Sequence, residues 1–304
     1  MRIASLLPSA TEIVCALGAR AELVGRSHEC DFPPGVEGVP VLTSARVGPL
    51  PSSQAIDAAV RDVLRDALAI YQIDVEQLRD ARPDVIVTQD LCEVCAVSFD
   101  DVRSAVVRLA RQEVSIVNLH PVRLEDIWGD LVRVGEAIGR GALGARIGAE
   151  LRARVAGIAR RAATLRRRPR VVTLEWIAPV MIGGMWMPEL VGLAGGEPLV
   201  TRPGDHAPTL GPEALARLDP DVVLVKPCGF PLGRTLEELD VLREALPGGW
   251  RARVYVADGN AYFNRPGPRI VESLEIMAAC VHPDAFPDFA REHAASVREV
   301  FSAA

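Results

Sequence analysis

The chain has 304 residues, of which 49% are hydrophobic and 24% are charged, and its formal net charge is -6. This length allows two domains of ordinary size, each with its own core. The negative charge argues against a nucleic-acid-binding surface, and the one basic run, at 160–170, is too local to change that. No stretch approaches the roughly 20 apolar residues of a membrane-spanning helix.

The N-terminus, MRIASLLPSATEIVCALG, does not have the pattern of a secretory signal, because its short apolar run enters a Pro-Ser helix start directly. We therefore expect a cytoplasmic protein, with a periplasmic or cell-surface location as the alternative if the true start lies upstream. The 6 cysteines are too few for a dense disulfide framework in a chain of this size, which favours free thiols or metal ligands.

Apolar strand-like runs alternate with helical patterns along the first half of the chain. The first run is followed by a helix that begins near Ser9, with Ser9 and Glu12 spaced as a capping box. A further amphipathic helix is predicted over 52–72. The predicted strands of this half lie at 2–7, 22–27, 83–89 and 114–119.

A long helical pattern without proline follows at 124–168 and contains several glycines that can bend or interrupt it. After it the alternation resumes, with strands at 170–176 and 253–259, another strand at the end of 211–227, and a closing helix at 269–281. The similar units VEQLRDARPDVIVTQ and PEALARLDPDVVLVK occur once in each half. Such alternation predicts an α/β fold of two lobes with mainly parallel sheets. We expect lobes at 1–123 and 169–304, joined by a long helix at 124–168.

Several segments, in this order, resemble the substrate-binding proteins that ABC importers use for cobalamin, siderophores and haem. They are RIASLLPSATEIVCALGA, SHECDFPP, the two PDV units, the long helix, GGMWMPELVGLAGGE and YFNRPGPRIVESLEIMA, and together they cover nearly the whole chain. The cobalamin-binding subgroup is the most similar. The resemblance implies a periplasmic-binding-protein-like fold and a non-catalytic protein with no required cofactor. It also implies a corrinoid or related metal chelate as ligand, held between the lobes, and an ABC permease as a possible partner. We expect a monomer that binds no nucleic acid.

The resemblance also implies site residues. Trp176 matches a ring contact of the cobalamin binders, and Tyr262, Phe263 and Arg265 match an aromatic-and-arginine stretch before the last helix. Typical cobalamin binders carry a tyrosine in the loop after the second strand. Here Glu29 takes that place.

The residues alone point to the same edge of each sheet, since ligands of open α/β sheets bind beyond the carboxyl ends of the strands. Trp186 lies in a GGMWMPEL turn whose glycines let the backbone approach a ligand closely. The predicted ligand-binding residues are Pro8, Ser9, Glu29, Gln89, Asp90, Trp176, Trp186, Tyr262, Phe263 and Arg265.

A Cys-x-x-C pair in TQDLCEVC follows the third strand, and SHEC follows the second. If the two loops are neighbours, His28, Cys30, Cys92 and Cys95 can converge on zinc or iron, present a thiolate or imidazole to the cobalt of a corrinoid, or only line the pocket. A dithiol redox role is disfavoured, because the next helix is predicted to begin at Ser98, beyond both cysteines. The alternative function is a cytoplasmic metal- or cofactor-binding module or enzyme that uses this cluster. No Ser-His-Asp arrangement, phosphate loop or dinucleotide fingerprint is present, so no reaction is predicted.

Overall fold

The computed structural model describes residues 1–65, 71–89, 104 and 114–301. The chain divides into two compact units. The first contains Met1–Leu50, Ala58–Pro121 and Glu125–Glu150, and the second contains Pro51–Asp57, Val122–Leu124 and Leu151–Ala304.

The four strands predicted in the first half are all present: β1 Ile3–Ser5, β2 Leu23–Arg26, β5 Val85–Gln89 and β6 Ser115–Leu119. They form the parallel sheet of the first unit, in the order β2-β1-β5-β6. Strands β1 and β5 are buried along their whole length, as expected of central strands covered on both faces.

An antiparallel pair, β3 (Thr43–Ala45) and β4 (Tyr71–Ile73), adds to this unit. The prediction of one helix over 52–72 is wrong at its end, because α2 is described over Ser53–Arg65 and Tyr71 belongs to a strand. Pairing with β3 gives this stretch its structure, a tertiary contact that helical periodicity does not reveal.

Helix α1 (Pro8–Ala16) starts with Pro8 in its first turn, where a missing N–H costs nothing. No side-chain cap is formed, so the predicted Ser9–Glu12 capping box is wrong, and both residues are buried inside the helix. Helix α3 (Val75–Ala81) is instead capped by Asp74, whose carboxylate accepts the backbone N–H of Gln77 at 3.0 Å.

The predicted long helix is divided in two, α4 (Leu124–Ala137) and α5 (Gly141–Ala163). Gly139 adopts φ +73°, and the N–H groups of Gly139 and Arg140 bond to the carbonyls of Glu136 and Gly135. This glycine-ended pattern closes the last turn of a helix, which is why α4 stops there. The boundary between the units falls inside α5.

In the second unit, the predicted strands correspond to β7 (Arg170–Trp176), β10 (Val222–Val225) and β11 (Arg253–Ala257). The short strands β8 (Met181–Ile182), β9 (Glu197–Pro198) and β12 (Val297–Phe301) are additional to the prediction. Together they form a mixed sheet in the order β12-β11-β10-β7-β8, with β9 beside β7. Its central strands are parallel, while β8 and β12 run antiparallel to their neighbours. Its core consists of aliphatic side chains of the central strands, such as Leu174, Val223 and Val256.

The remaining helices of the second unit are α6 Met187–Leu193, α7 Pro212–Ala216, α8 Leu232–Leu236, α9 Leu239–Ala245, α10 Ile270–Val281 and α11 Pro287–Glu292. None of the helices in the described ranges combines the length and the apolar character that crossing a membrane requires. The fold class is therefore as predicted: two α/β units with mainly parallel sheets.

Candidate functional site

In the first unit, the loop after β2 is fastened by a buried arginine. The guanidinium of Arg26 donates to the carbonyls of Ser27 and Cys30, at 3.1 and 3.0 Å, and to that of Val39 at 3.1 Å. The residues between Ser27 and Cys30 are thereby held at the carboxyl edge of the sheet, where a ligand of this fold class binds.

His28 lies half-buried on this loop, with its Nδ1 bonded to Thr43. The Thr43 hydroxyl oxygen lies 3.1 Å from Ser27 Oγ and 2.8 Å from His28 Nδ1. With the Thr43 hydroxyl donating to Ser27, Nδ1 donates to Thr43 and the lone pair lies on Nε2. Burial lowers the pKa of His28, more than the nearby Glu29 raises it, so the imidazole is neutral at pH 7.

The predicted ligand residue Glu29 is joined by a residue that sequence reasoning missed. Tyr71, on β4, donates its hydroxyl to Glu29 Oε1 at 2.6 Å and packs edge-on against the ring of His28, with centroids 5.0 Å apart. A tyrosine thus stands beside the loop after β2, although it comes from another strand. Only the pairing of β3 with β4 places it there.

The predicted metal set is described only in part. Cys30 is 1% exposed, and its Sγ lies 3.0 Å from the Thr11 hydroxyl, so it faces the interior of the unit. Cys92 and Cys95 lie outside the described residues. The convergence of these residues with His28 therefore stays a prediction.

The other predicted residues of this edge differ in exposure. Pro8 is half-buried at the start of α1, and Ser9 is buried. Gln89 ends β5 with its side chain buried, and its Oε1 has no hydrogen-bond partner within the described part of the chain. Asp90 lies outside the described residues.

In the second unit, Trp176 ends β7 half-buried. Its indole N–H donates to the carbonyl of Ser53 at 3.2 Å, and its ring packs edge-on against Phe230, with centroids 5.2 Å apart. The ring is held at two points, which fixes its orientation.

A buried lysine lies at the same edge of the second unit's sheet. Lys226, fully buried after β10, lies 3.3 Å from Glu175 Oε2 and 3.1 Å from Asn264 Oδ1. Asn264 in turn donates to the carbonyls of Lys226 and Gly259. This network ties the loop after β11 to the ends of β7 and β10.

Trp186 and Phe263, both predicted ligand contacts, are buried against the loop backbone. The Trp186 indole donates to the carbonyl of Phe263 at 2.9 Å, and Phe263 N–H donates to Ser273 Oγ at 2.9 Å. Phe263 is 0% exposed and has a φ of +67°. Arg265 is also buried and donates to Asn260 at 3.1 Å. In this structure these three side chains brace the loop, and their contact with ligand stays a prediction.

Tyr262 is the half-buried aromatic of that loop. The guanidinium of Arg269 lies 5.3 Å from its ring centroid, and the buried imidazole of His293 packs edge-on at 6.2 Å. Glu275, Glu292 and His293 form the group of metal-ligand side chains that the described residues bring within 4.8 Å of one another. Sequence reasoning did not single out any of these three.

The family model for periplasmic binding proteins matches residues 3–245. A search of curated proteins gives no significant match. Several solved structures share the fold at low sequence identity.

A periplasmic heme-binding protein from Pseudomonas aeruginosa is 21% identical, with a TM-score of 0.69 and coverage of 93% of this chain and 92% of that one. A periplasmic heme-binding protein from Roseiflexus is 21% identical, with a TM-score of 0.67 and coverage of 95% and 98%. The periplasmic vitamin B12 binding protein of Vibrio cholerae is 18% identical, with a TM-score of 0.61 and coverage of 93% and 97%.

These findings confirm the predicted class of protein and correct its location. The expectation of a cytoplasmic protein is wrong, because the matched family and these structures are periplasmic and point to a place outside the cytoplasmic membrane. The prediction of a non-catalytic protein is confirmed by the family. The cobalamin-binding subgroup is not singled out, since the solved structures include heme and vitamin B12 binders. The chain belongs to the periplasmic binding protein family, the solute-binding components of ABC importers.

Proposed function

We propose that this solute-binding protein carries a corrinoid, a flat cobalt macrocycle of the cobalamin type, to an ABC permease. The observation that carries the proposal is His28. Its Nδ1 is engaged by Thr43 at 2.8 Å, so that a neutral imidazole offers the Nε2 lone pair at the carboxyl edge of the first sheet. A ring nitrogen oriented through its partner nitrogen is the usual arrangement of a histidine that binds a metal.

Each unit, taken by itself, has half-buried aromatic side chains of the kind that pack on a flat ligand. Tyr71 stands beside His28 in the first unit. Trp176 and Tyr262 are the half-buried aromatics at the strand ends of the second. Such rings pack on a macrocycle face and bury a large apolar area.

The negative charge of Glu29, next to His28, favours a corrinoid over haem. Glu29 lies next to the imidazole, and its carboxylate, bonded to the Tyr71 hydroxyl, can accept the N–H groups of carboxamide side chains. Corrinoids carry such amides, whereas haem carries two propionates, which a neighbouring carboxylate repels. Two of the similar solved structures are heme-binding proteins, so haem is the competing ligand to test.

Absorbance titration of the purified protein with aquocobinamide, cobalamin and hemin tests the proposal. We expect aquocobinamide to bind with a shift of its visible bands as the imidazole takes an axial position. In His28→Phe that shift should disappear and the affinity should fall at least tenfold, about 1.4 kcal/mol. His282→Phe, the same change at another half-buried imidazole that lies 3.2 Å from the Gly195 carbonyl, is the matched control.

The outcomes separate the ligands. Binding of hemin alone would assign the site to haem, and no spectral change with any of the three probes would remove metal macrocycles as the ligand. A cobinamide shift that persists in His28→Phe would exclude His28 as the metal contact.

A further inference from the structure

Tyr262 is oriented by groups outside its own loop. Of these, His293 comes from the segment after α11, is 5% exposed, and meets the tyrosine ring at an interplanar angle of 76°. Edge-on packing at this distance is specific for the orientation of both rings. The orientation of the imidazole therefore affects the orientation of the Tyr262 ring.

The imidazole is itself held from two helices. His293 Nε2 lies 2.9 Å from Glu275 Oε2 on α10, and Arg154 on α5 donates to Glu275 Oε1 at 2.9 Å. The backbone of His293 is fixed as well, since its N–H donates to the Phe289 carbonyl and its own carbonyl accepts from Ser296. A chain of contacts thus runs from α5 through Glu275 and His293 to Tyr262.

Charge fixes which way the imidazole points. Burial raises the pKa of Glu275, but the hydrogen bonds from His293 and Arg154 lower it further, and the net effect is a pKa below the usual value. Glu275 is therefore ionised at neutral pH and accepts at both oxygens. The proton between Glu275 and His293 must therefore lie on Nε2. A ring turned by 180° would present a carbon atom to the carboxylate and lose this hydrogen bond, so that orientation is excluded.

The same atoms also belong to the group that includes Glu292. A cation there would need Nε2 and Glu275 Oε2, which are already bonded to each other, and it would face the guanidinium on the other carboxylate oxygen. These contacts indicate that Glu275 and His293 hold each other in place and do not form a metal site.

We infer that His293 is a positioning residue for Tyr262: the imidazole, fixed by Glu275, sets the orientation in which the tyrosine ring meets the ligand. This inference rests on the proposed function, because Tyr262 is a ligand contact only there.

A double-mutant cycle with aquocobinamide as the probe tests it. His293→Phe keeps the ring but removes the bond to Glu275, and we expect it to weaken binding about tenfold. In a Tyr262→Ala background the same change should have no further effect on Kd. His282→Phe serves as the matched control and should leave Kd unchanged in both backgrounds. An equal loss of affinity with and without Tyr262 would overturn the inference.

A second readout needs no ligand. The chain has 3 tyrosines, so 3-fluorotyrosine labelling gives a simple fluorine NMR spectrum, and Tyr262→Phe identifies the resonance of Tyr262. We expect His293→Phe to move that resonance and His282→Phe to leave it in place. Glu275→Gln provides the same test if His293→Phe does not fold. An unmoved Tyr262 resonance rejects the positioning role, whereas a moved resonance without cobinamide binding rejects only the proposed function.

Discussion

At the scale of single residues, Asp130 on α4 is a fully buried acid of the first unit. It is 0% exposed; one carboxylate oxygen bonds to Arg133 at 2.8 Å, and the other has no hydrogen-bond partner among the described residues. Burial raises the pKa of Asp130 to about 7, although Arg133 opposes the shift. A half-satisfied buried carboxylate of this kind reduces stability in its charged form.

The sign of the pH dependence follows from this shift. Between the ordinary pKa of aspartate, 3.8, and about 7, the folded protein holds a proton at Asp130 that the unfolded chain has lost. The free energy of unfolding should therefore decrease as the pH rises through this window, and the stability is fully present only below it.

Replacing Asp130→Asn should remove that part of the pH dependence and raise the free energy of unfolding at pH 8, on the order of 2–4 kcal/mol. Urea unfolding at pH 5 and pH 8 measures both effects. Glu136→Gln, a change at an exposed acid of the same helix, is the matched control and should change the slope little. A lower stability of Asp130→Asn at pH 8 would show that the charged carboxylate is needed.

The strand ends show how far residue-level reasoning from the sequence extends. His28, Glu29 and Tyr262 were predicted because they follow buried strands, and the structure places them at those edges. Tyr71 and His293 were missed, because their positions depend on a short strand pairing and on a helix packed far along the chain. The residues next to Tyr71 and His293 in the sequence do not indicate these tertiary contacts.

At the scale of elements, the start of α2 is anchored by an acid distant in sequence. The backbone N–H of Ser53 donates to Glu238 Oε1 at 2.7 Å, and Arg234 donates to the same oxygen at 2.6 Å. A carboxylate at a helix N-terminus satisfies an unpaired N–H and complements the helix dipole. The carbonyl of Ser53 accepts the Trp176 indole, so the anchor also supports that ring.

Glu238→Ala should therefore destabilise the second unit, by about 1–2 kcal/mol as for other lost helix caps. Glu237→Ala is the matched control, since its side chain is 71% exposed whereas that of Glu238 is 3% exposed. Urea unfolding followed by tryptophan fluorescence reports the difference. Equal stability of the two variants would mean that the anchor contributes nothing.

Elements were predicted from sequence where burial dictates their pattern. The central strands β1, β5, β7, β10 and β11 are largely buried and rich in apolar residues, as expected of parallel strands covered on both faces. The division of the long helix was less evident, because the left-handed Gly139 terminates it within an otherwise unbroken helical pattern. The edge strands β8, β9 and β12 are short and depend on pairing alone.

At the scale of the whole molecule, the order of segments along the chain was more informative than its first residues. The family was recognised from segments spread over both halves, and the family model confirms it over residues 3–245. The location was inferred from the N-terminal residues alone and was wrong. A fold is specified by many weak, mutually consistent signals, whereas a location read from one segment has no such redundancy.

The whole chain should respond to its ligand through mass action. A ligand that binds only the folded protein raises the free energy of unfolding by about 2.7 kcal/mol at a concentration 100 times its Kd. We expect aquocobinamide at that concentration to produce this increase in urea unfolding followed by circular dichroism. His28→Phe, compared with its own ligand-free form, should lose most of the increase, because under the proposed function it removes the contact to the metal. His282→Phe should respond like the unmodified chain.

Full stabilisation of His28→Phe by the same cobinamide concentration would place the ligand away from His28. An increase in the free energy of unfolding seen only with hemin would make haem the ligand.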